Sequence, residues 1–107
     1  MARADLTEAN LGGADLNRAD LRGAKASGAS LRGANLSAAN LNNACLEGAN
    51  LRLANLDKAE LAASDLRSAD LTEVDVSGRN LMETDFSGAV LQRADLHGAN
   101  LNHANLG

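Results

Sequence analysis

Few side chains in this sequence could do chemistry. Two histidines, His97 and His103, and one cysteine, Cys45, stand among 107 residues. Two imidazoles without a third ligand make a weak metal site, and one cysteine cannot close an intrachain disulfide. We therefore expect these three side chains to lie free at the surface. The sequence predicts a protein that is not an enzyme, with no catalytic residue, no metal site and no cofactor.

Charge and composition limit the partners of the chain. Ten basic and fourteen acidic residues give a formal net charge of −4, and Phe86 supplies the only aromatic ring. A chain without a basic stripe and without stacking aromatic rings lacks the two features by which proteins usually bind nucleic acid. No apolar run approaches the length of a signal peptide or a membrane span. We expect no direct contact with nucleic acid or membrane, and a cytoplasmic location by default.

A five-residue repeat must position all of these side chains. A large apolar residue, here named the centre, recurs every five positions from Leu6 to Leu106 and is leucine in 18 of 21 cases. A small residue lies two positions before each centre and is alanine in 17 of 21 cases, and Asp or Asn lies between the two in 16. The two remaining positions, here named the corner, are polar or glycine almost throughout.

This spacing excludes a helix and a straight strand. Five residues turn a helix through about 500°, so successive centres would lie about 140° apart and form no apolar stripe. On a strand the side chains alternate, so every second centre would change face. The pattern instead predicts short extended pieces joined by corners that wind the chain into a closed coil. Each coil would hydrogen-bond to the next as in a parallel sheet, about 4.8 Å away.

The run Ala-(Asp/Asn)-Leu-x-x, as at residues 4–8 and 99–103, resembles the pentapeptide-repeat family. The resemblance extends from Met1, itself in a centre position, to Gly107. It implies an all-β fold, a right-handed quadrilateral β-helix in which four repeats make one coil. On that basis the chain makes about five coils and a rod about 25 Å long. We expect residues 1–107 to form a single domain with no evident capping segment at either end.

Alanine and leucine fill the expected interior, and the exceptions are informative. Arg79 occupies a small-residue position that points inward, where a buried unpaired charge would be very unfavourable. We expect a local bulge through which its guanidinium escapes toward Asp75 or Asp85. Ala26 should leave a gap. The centres expected to form the core include the following: Leu6, Leu16, Leu36, Leu46, Leu56, Leu66, Phe86 and Leu96.

Residues 20 apart would be stacked neighbours, which sets Asp65 over Asp85 and Asp75 over Asp95. Like charges in stacked positions carry a cost, so this acidic ladder suggests a surface that faces a partner. The alternative is that Asp is simply a good residue at that position, because its side chain can hydrogen-bond nearby backbone. Residues 1–53 carry a net charge of +1 and residues 54–107 one of −5. The outward apolar residues are expected to be isolated: Leu53, Met82 and Val90.

Two functions follow from these observations. The first is a non-catalytic structural or protein-interaction module, which could associate end to end because uncapped coils present unpaired edges. The second rests on resemblance alone, since the quinolone-resistance members of the family are understood to imitate DNA and bind bacterial gyrase. A DNA segment of about 25 Å carries about 15 negative charges, against −4 here. The sequence therefore favours the first function and names no protein partner.

Overall fold

Each repeat folds into one hydrogen-bonded corner. In the computed structural model, which describes residues 3–107, the N–H of each small residue donates to the carbonyl of the preceding centre, as Ala39 does to Leu36 at 3.0 Å. The second corner residue has a positive φ in every repeat, for example 67° at Gly33 and 58° at Ala38. A type II turn requires this conformation at its third residue. Met1 and its expected centre position lie outside the described residues.

Successive coils stack with a spacing of 20 residues. Parallel bridges join residues such as Asn35 and Asn55, so four repeats complete one coil. Three backbone hydrogen bonds per repeat connect the coils: Asn35 donates to Ala14 at 2.8 Å, Leu16 donates to Asn35 at 2.7 Å, and Arg18 donates to Ser37 at 2.9 Å. The bridges are single residues rather than extended strands, and residues 3–107 form no helix. Nothing in this range is therefore a helix that could cross a membrane.

The interior is filled by stacked alanines and leucines. In the middle coils the expected centres are buried, as at Leu36 and Leu66, which are 0% exposed. Leu6, Leu16 and Leu96 are half-buried and pack against this core from the end coils, which have a neighbour on one side only. Phe86 is buried, and the axial hydrogen bonds on both sides of its own repeat are kept. Small and large layers thus fill a narrow tube with almost no aromatic bulk.

The Asp and Asn side chains before the centres close the outside of each corner. In all 16 repeats that carry Asp or Asn there, Oδ1 accepts the backbone N–H two residues later. The N–H of Thr72, for example, donates to Asp70 at 3.0 Å. The prediction that these side chains hydrogen-bond nearby backbone is confirmed. This contact satisfies the first corner N–H, which points away from the neighbouring coils.

Candidate interaction site at a break in the coil stacking

The regular stacking opens at one place between residues 3 and 107. The bridges that the 20-residue spacing would form between Asn55 and Asp75, and between Glu60 and Asn80, are absent, whereas those on either side along the chain are present. Six backbone N–H groups on the facing segments 53–61 and 72–80 donate no hydrogen bond within the described residues: Leu53, Leu56, Lys58, Leu61, Asp75 and Asn80. About half a coil therefore separates from its neighbour.

Arg79 lies at this opening, and we attribute the opening to its side chain. Its side chain is half-buried, and its Nε donates to the carbonyl of Ser77 at 3.2 Å. In the regular pattern that carbonyl would accept the N–H of Lys58, which is left free. On the opposite side the coil stays bonded, because Asn100 donates to the carbonyl of Arg79 at 2.9 Å. The long charged side chain therefore leaves the alanine-lined interior through one side of its coil only.

The structure places the guanidinium of Arg79 outside the core but not in an ion pair. Within the described residues no salt bridge joins it to Asp75 or to Asp85. The pKa of Asp75 is lowered from its usual value mainly by the hydrogen bond from the Ser77 hydroxyl, then by the Ser77 backbone N–H, with a smaller effect of the Arg79 charge. The guanidinium thus binds a backbone carbonyl where the sequence suggested a carboxylate.

The separated segments enclose a cleft of about 300 Å³, here named the Arg79 cleft. Its floor includes the buried side chains of Ala54 and Leu56. Leu53 stands at its edge with φ 61° and is 51% exposed. A leucine in the left-handed region costs about 1–2 kcal/mol, a cost that the type II turn imposes on every non-glycine residue at this corner position. The exposure of Leu53 forgoes the gain from burial, and this exposure marks the edge of the Arg79 cleft as a candidate contact surface.

Three carboxylates line the Arg79 cleft. Glu73 pairs with Arg93 at 2.9 Å. Asp75 accepts the N–H and hydroxyl of Ser77 at 2.9 and 2.6 Å, and Asp57 belongs to no salt bridge within residues 3–107. The Arg79 cleft therefore combines free backbone donors, an exposed apolar side chain and a mostly acidic rim. Such groups can bind a peptide.

The four aspartates of the acidic ladder form two separate pairs. Parallel bridges join Asp65 to Asp85 and Asp75 to Asp95. The pairs are ten residues apart, which is half a coil, so they lie on opposite faces. The pKa of Asp65 is lowered chiefly by the hydrogen bond from Arg67, whose Nη2 lies 2.6 Å from Asp65. One pair is therefore partly neutralised, and each of the four caps its own corner.

The remaining candidate residues lie apart from this site. His97 and His103 are exposed. Cys45 is a free thiol but is half-buried rather than fully exposed, and its Sγ lies 3.1 Å from the Ser27 hydroxyl. No group of three or more His, Cys, Asp and Glu in the described range could hold a metal ion. Val90 is exposed and isolated from the Arg79 cleft.

Sequence reasoning singled out Arg79 but missed most of its surroundings. Leu53 was expected to be an isolated exposed residue, and Asp57 and Glu73 were not considered as a site. The 20-residue spacing that stacks residues 53–57 beneath 73–77 is the signal that could have found them. The same spacing accounts for the axial ion pair of Glu47 and Arg67 at 2.6 Å.

Comparison with known proteins agrees with the repeat geometry. The pentapeptide repeats profile matches residues 1–37, 34–72 and 69–107, and no curated protein sequence matches the chain. A pentapeptide repeat protein from the Arabidopsis thaliana thylakoid lumen is 29% identical, with a TM-score of 0.57 over 96% of this chain and 65% of its own. A trypsin-treated form of QnrB1, a plasmid-mediated fluoroquinolone resistance protein, is 24% identical, with a TM-score of 0.57 over 89% of this chain and 59% of its own.

The chain thus spans less than two thirds of the length of these solved structures. Their likeness implies a right-handed quadrilateral β-helix, the architecture to which a 20-residue coil with four corners corresponds. The repeat matches run from the first residue to the last with short overlaps. By these matches the chain belongs to the pentapeptide-repeat family.

Proposed function

We propose that this chain is a non-catalytic protein-interaction module. The observation that carries the proposal is the Arg79 cleft, where backbone donors on two facing coil edges lack partners. A buried or half-buried polar group without a partner costs free energy that a bound molecule can recover. Elsewhere along the middle coils the interior is filled and the edges are paired, which supports a role in binding rather than in catalysis.

Site-specific cross-linking tests this proposal. Four variants each carry one photo-cross-linking residue at consecutive corners of a single coil, in place of Leu53, Lys58, Ala63 or Ser68. All four positions have positive φ and are exposed, so the variants are matched in backbone and accessibility. In cells that naturally contain the protein, we expect discrete protein adducts at one or two adjacent corners. Equal, diffuse labelling at all four corners, or none, would contradict an interaction role.

An acidic DNA mimic that binds gyrase is the alternative. Two stacked aspartate pairs favour it, and the likeness to QnrB1 supports the shared fold alone. The placement of the pairs on opposite faces and the ion pair of Asp65 with Arg67 weigh against it. A fourfold variant with Asn at Asp65, Asp75, Asp85 and Asp95 separates the two functions, because Asn keeps the corner-capping oxygen and removes the charge. Inhibition of gyrase supercoiling by the natural chain, lost in this variant, would establish the alternative.

Two further parts of the proposal concern the whole chain. We propose that residues 1–107 act as one domain, and that copies associate end to end through their terminal coils. A single unfolding transition is expected for one domain. Light scattering over a wide concentration range should show a mass that grows with concentration. A constant monomeric mass would reject the proposed end-to-end association and would leave the proposed interaction role unaffected.

A further inference from the structure

We propose that the Arg79 cleft binds a short extended segment of a partner protein that carries a basic side chain. The inference rests on the proposed interaction role and assigns it a place and a ligand chemistry. Its first support is the open backbone. The N–H groups of Leu53 on one wall and of Asp75 on the other donate to no protein acceptor in the described chain, and both residues are exposed. Extended peptides bind such unpaired edges by adding main-chain hydrogen bonds.

The charge of the rim selects a basic side chain. Asp57 and Asp75 have no salt-bridge partner within residues 3–107, whereas Glu73 is already paired with Arg93. The guanidinium of Arg79 is turned to the Ser77 carbonyl. A lysine or arginine entering the Arg79 cleft would therefore meet two carboxylates that form no salt bridge within residues 3–107, whereas an acidic side chain would be repelled by them.

The size of the cleft and Leu53 describe the rest of the segment. A volume of about 300 Å³ is at the lower end for ligand pockets, so it suits a few residues rather than a folded domain. The flat piece 54–56 ends in a corner on each side, so the wall that an extended chain could follow is about three residues long. Leu53, 51% exposed at one end, offers an apolar contact. The expected ligand thus has an apolar residue beside the basic one.

Nuclear magnetic resonance titration with two blocked pentapeptides tests the proposal. One has the sequence Ala-Leu-Lys-Leu-Ala, and the other has glutamate in place of lysine. We expect saturable shifts of the backbone amides of Leu53, Leu56 and Lys58, with half-saturation at about 1 mM for the lysine peptide, because the contact is small. The glutamate peptide should bind at least about tenfold more weakly.

Variants decide whether the Arg79 cleft is the site. Arg79→Ala should close the opening and lower the affinity for the lysine peptide by about tenfold or more. Arg18→Ala, at an exposed corner in a regular part of the stack, should leave the affinity for the lysine peptide unchanged. If Arg79→Ala fails to fold, Asp75→Asn serves instead. It keeps the corner-capping oxygen, removes one carboxylate, and should weaken the lysine peptide alone.

Three results would overturn the assignment: no saturable shift at these amides, equal binding of both peptides, or equal binding by Arg79→Ala. Corner-specific cross-linking that persists in Arg79→Ala would retain the interaction role and reject the Arg79 cleft as its place. Loss of both the peptide shifts and all discrete adducts would reject the two proposals together.

Discussion

The two edges of the segment 53–61 differ although they belong to the same four-corner coil. On the edge toward residues 33–41 every expected bond is present, as when Leu36 donates to the carbonyl of Asn55 at 2.8 Å and Asn55 donates to Ala34 at 2.9 Å. On the edge toward residues 72–80 the corresponding bonds of Leu56 and Asp75 are missing. We attribute this difference to the coil above, where Arg79 replaces a small residue.

Size alone does not open the stack. Thr84 also replaces alanine at a small position, yet it is fully buried, and its hydroxyl donates to the carbonyl of Leu61 at 2.9 Å. Asn105 still donates to the carbonyl of Thr84 at 3.0 Å. A threonine satisfies its one polar group inside the tube. The guanidinium of Arg79 has five donors and a charge, and the alanine-lined interior offers it no acceptors. The lesson is that the repeat tolerates volume better than unpaired polarity.

The largest expected effect comes from emptying the core on each edge. Leu36 and Leu56 are stacked on one face and are 0% and 1% exposed. We expect Leu36→Ala to lower the free energy of unfolding by about 3–4 kcal/mol and Leu56→Ala by about 2 kcal/mol, because Leu56 already borders a cleft. Urea denaturation measures both. Equal losses would mean that the two edges pack equally well.

Arg79→Ala should raise the free energy of unfolding by about 2 kcal/mol. The change restores the alanine of the repeat, removes a half-buried guanidinium and allows the missing axial hydrogen bonds to form, each of which contributes about 1 kcal/mol or less. Arg93→Ala is the matched control, since Arg93 is exposed and its surface pair with Glu73 contributes little. A destabilised Arg79→Ala protein would show that the arginine supports the fold.

The corner at Leu53 offers a competing cause for the opening, and Leu53→Gly separates the two. Glycine relieves the left-handed strain at φ 61°, so we expect a gain of about 0.5–1 kcal/mol. The Arg79 cleft should stay open, as judged by unchanged chemical shifts of the amides of Leu56 and Asp75. Ala38→Gly is the control on the regular edge, where φ is 58°. If Leu53→Gly closed the opening, the corner and not Arg79 would be its origin.

Acid should weaken the corner caps of the coil above the segment 53–61, with the smallest effect per site. The pKa values of Asp70 and Asp75 are lowered chiefly by hydrogen bonds from Thr72 and Ser77. Their contribution to stability is thus complete above the unfolded pKa of about 3.9 and is lost as the pH falls through the lower folded value. We expect chemical unfolding to become easier below about pH 4.

Asp75→Asn should remove the contribution of the Asp75 carboxylate to this pH dependence, while the amide oxygen keeps the corner capped. The difference in unfolding free energy between the variant and the natural chain, measured near pH 6 and again in acid, gives that contribution. An unchanged pH profile in the variant would contradict the lowered pKa of Asp75.

Much of this architecture was predictable because the repeat is local. The spacing of Leu36 and its equivalents excludes a helix and a flat strand, and Asp or Asn before most centres predicts a corner cap. The inward position of Arg79 was also visible. What could not be predicted is the side of the coil through which its side chain leaves, because that depends on how neighbouring coils pack in three dimensions. Which carbonyl accepts the hydrogen bond from Arg79, here that of Ser77, depends on the side through which the side chain leaves.

Native-state amide hydrogen exchange compares the two edges most directly. In the natural chain the amides of Leu56, Lys58 and Asp75 should exchange rapidly, while that of Leu36 should be protected. In Arg79→Ala all four should be protected. Uniform protection in the natural chain, or rapid exchange of Leu56 that persists in Arg79→Ala, would contradict the conclusion that a single arginine opens the stack.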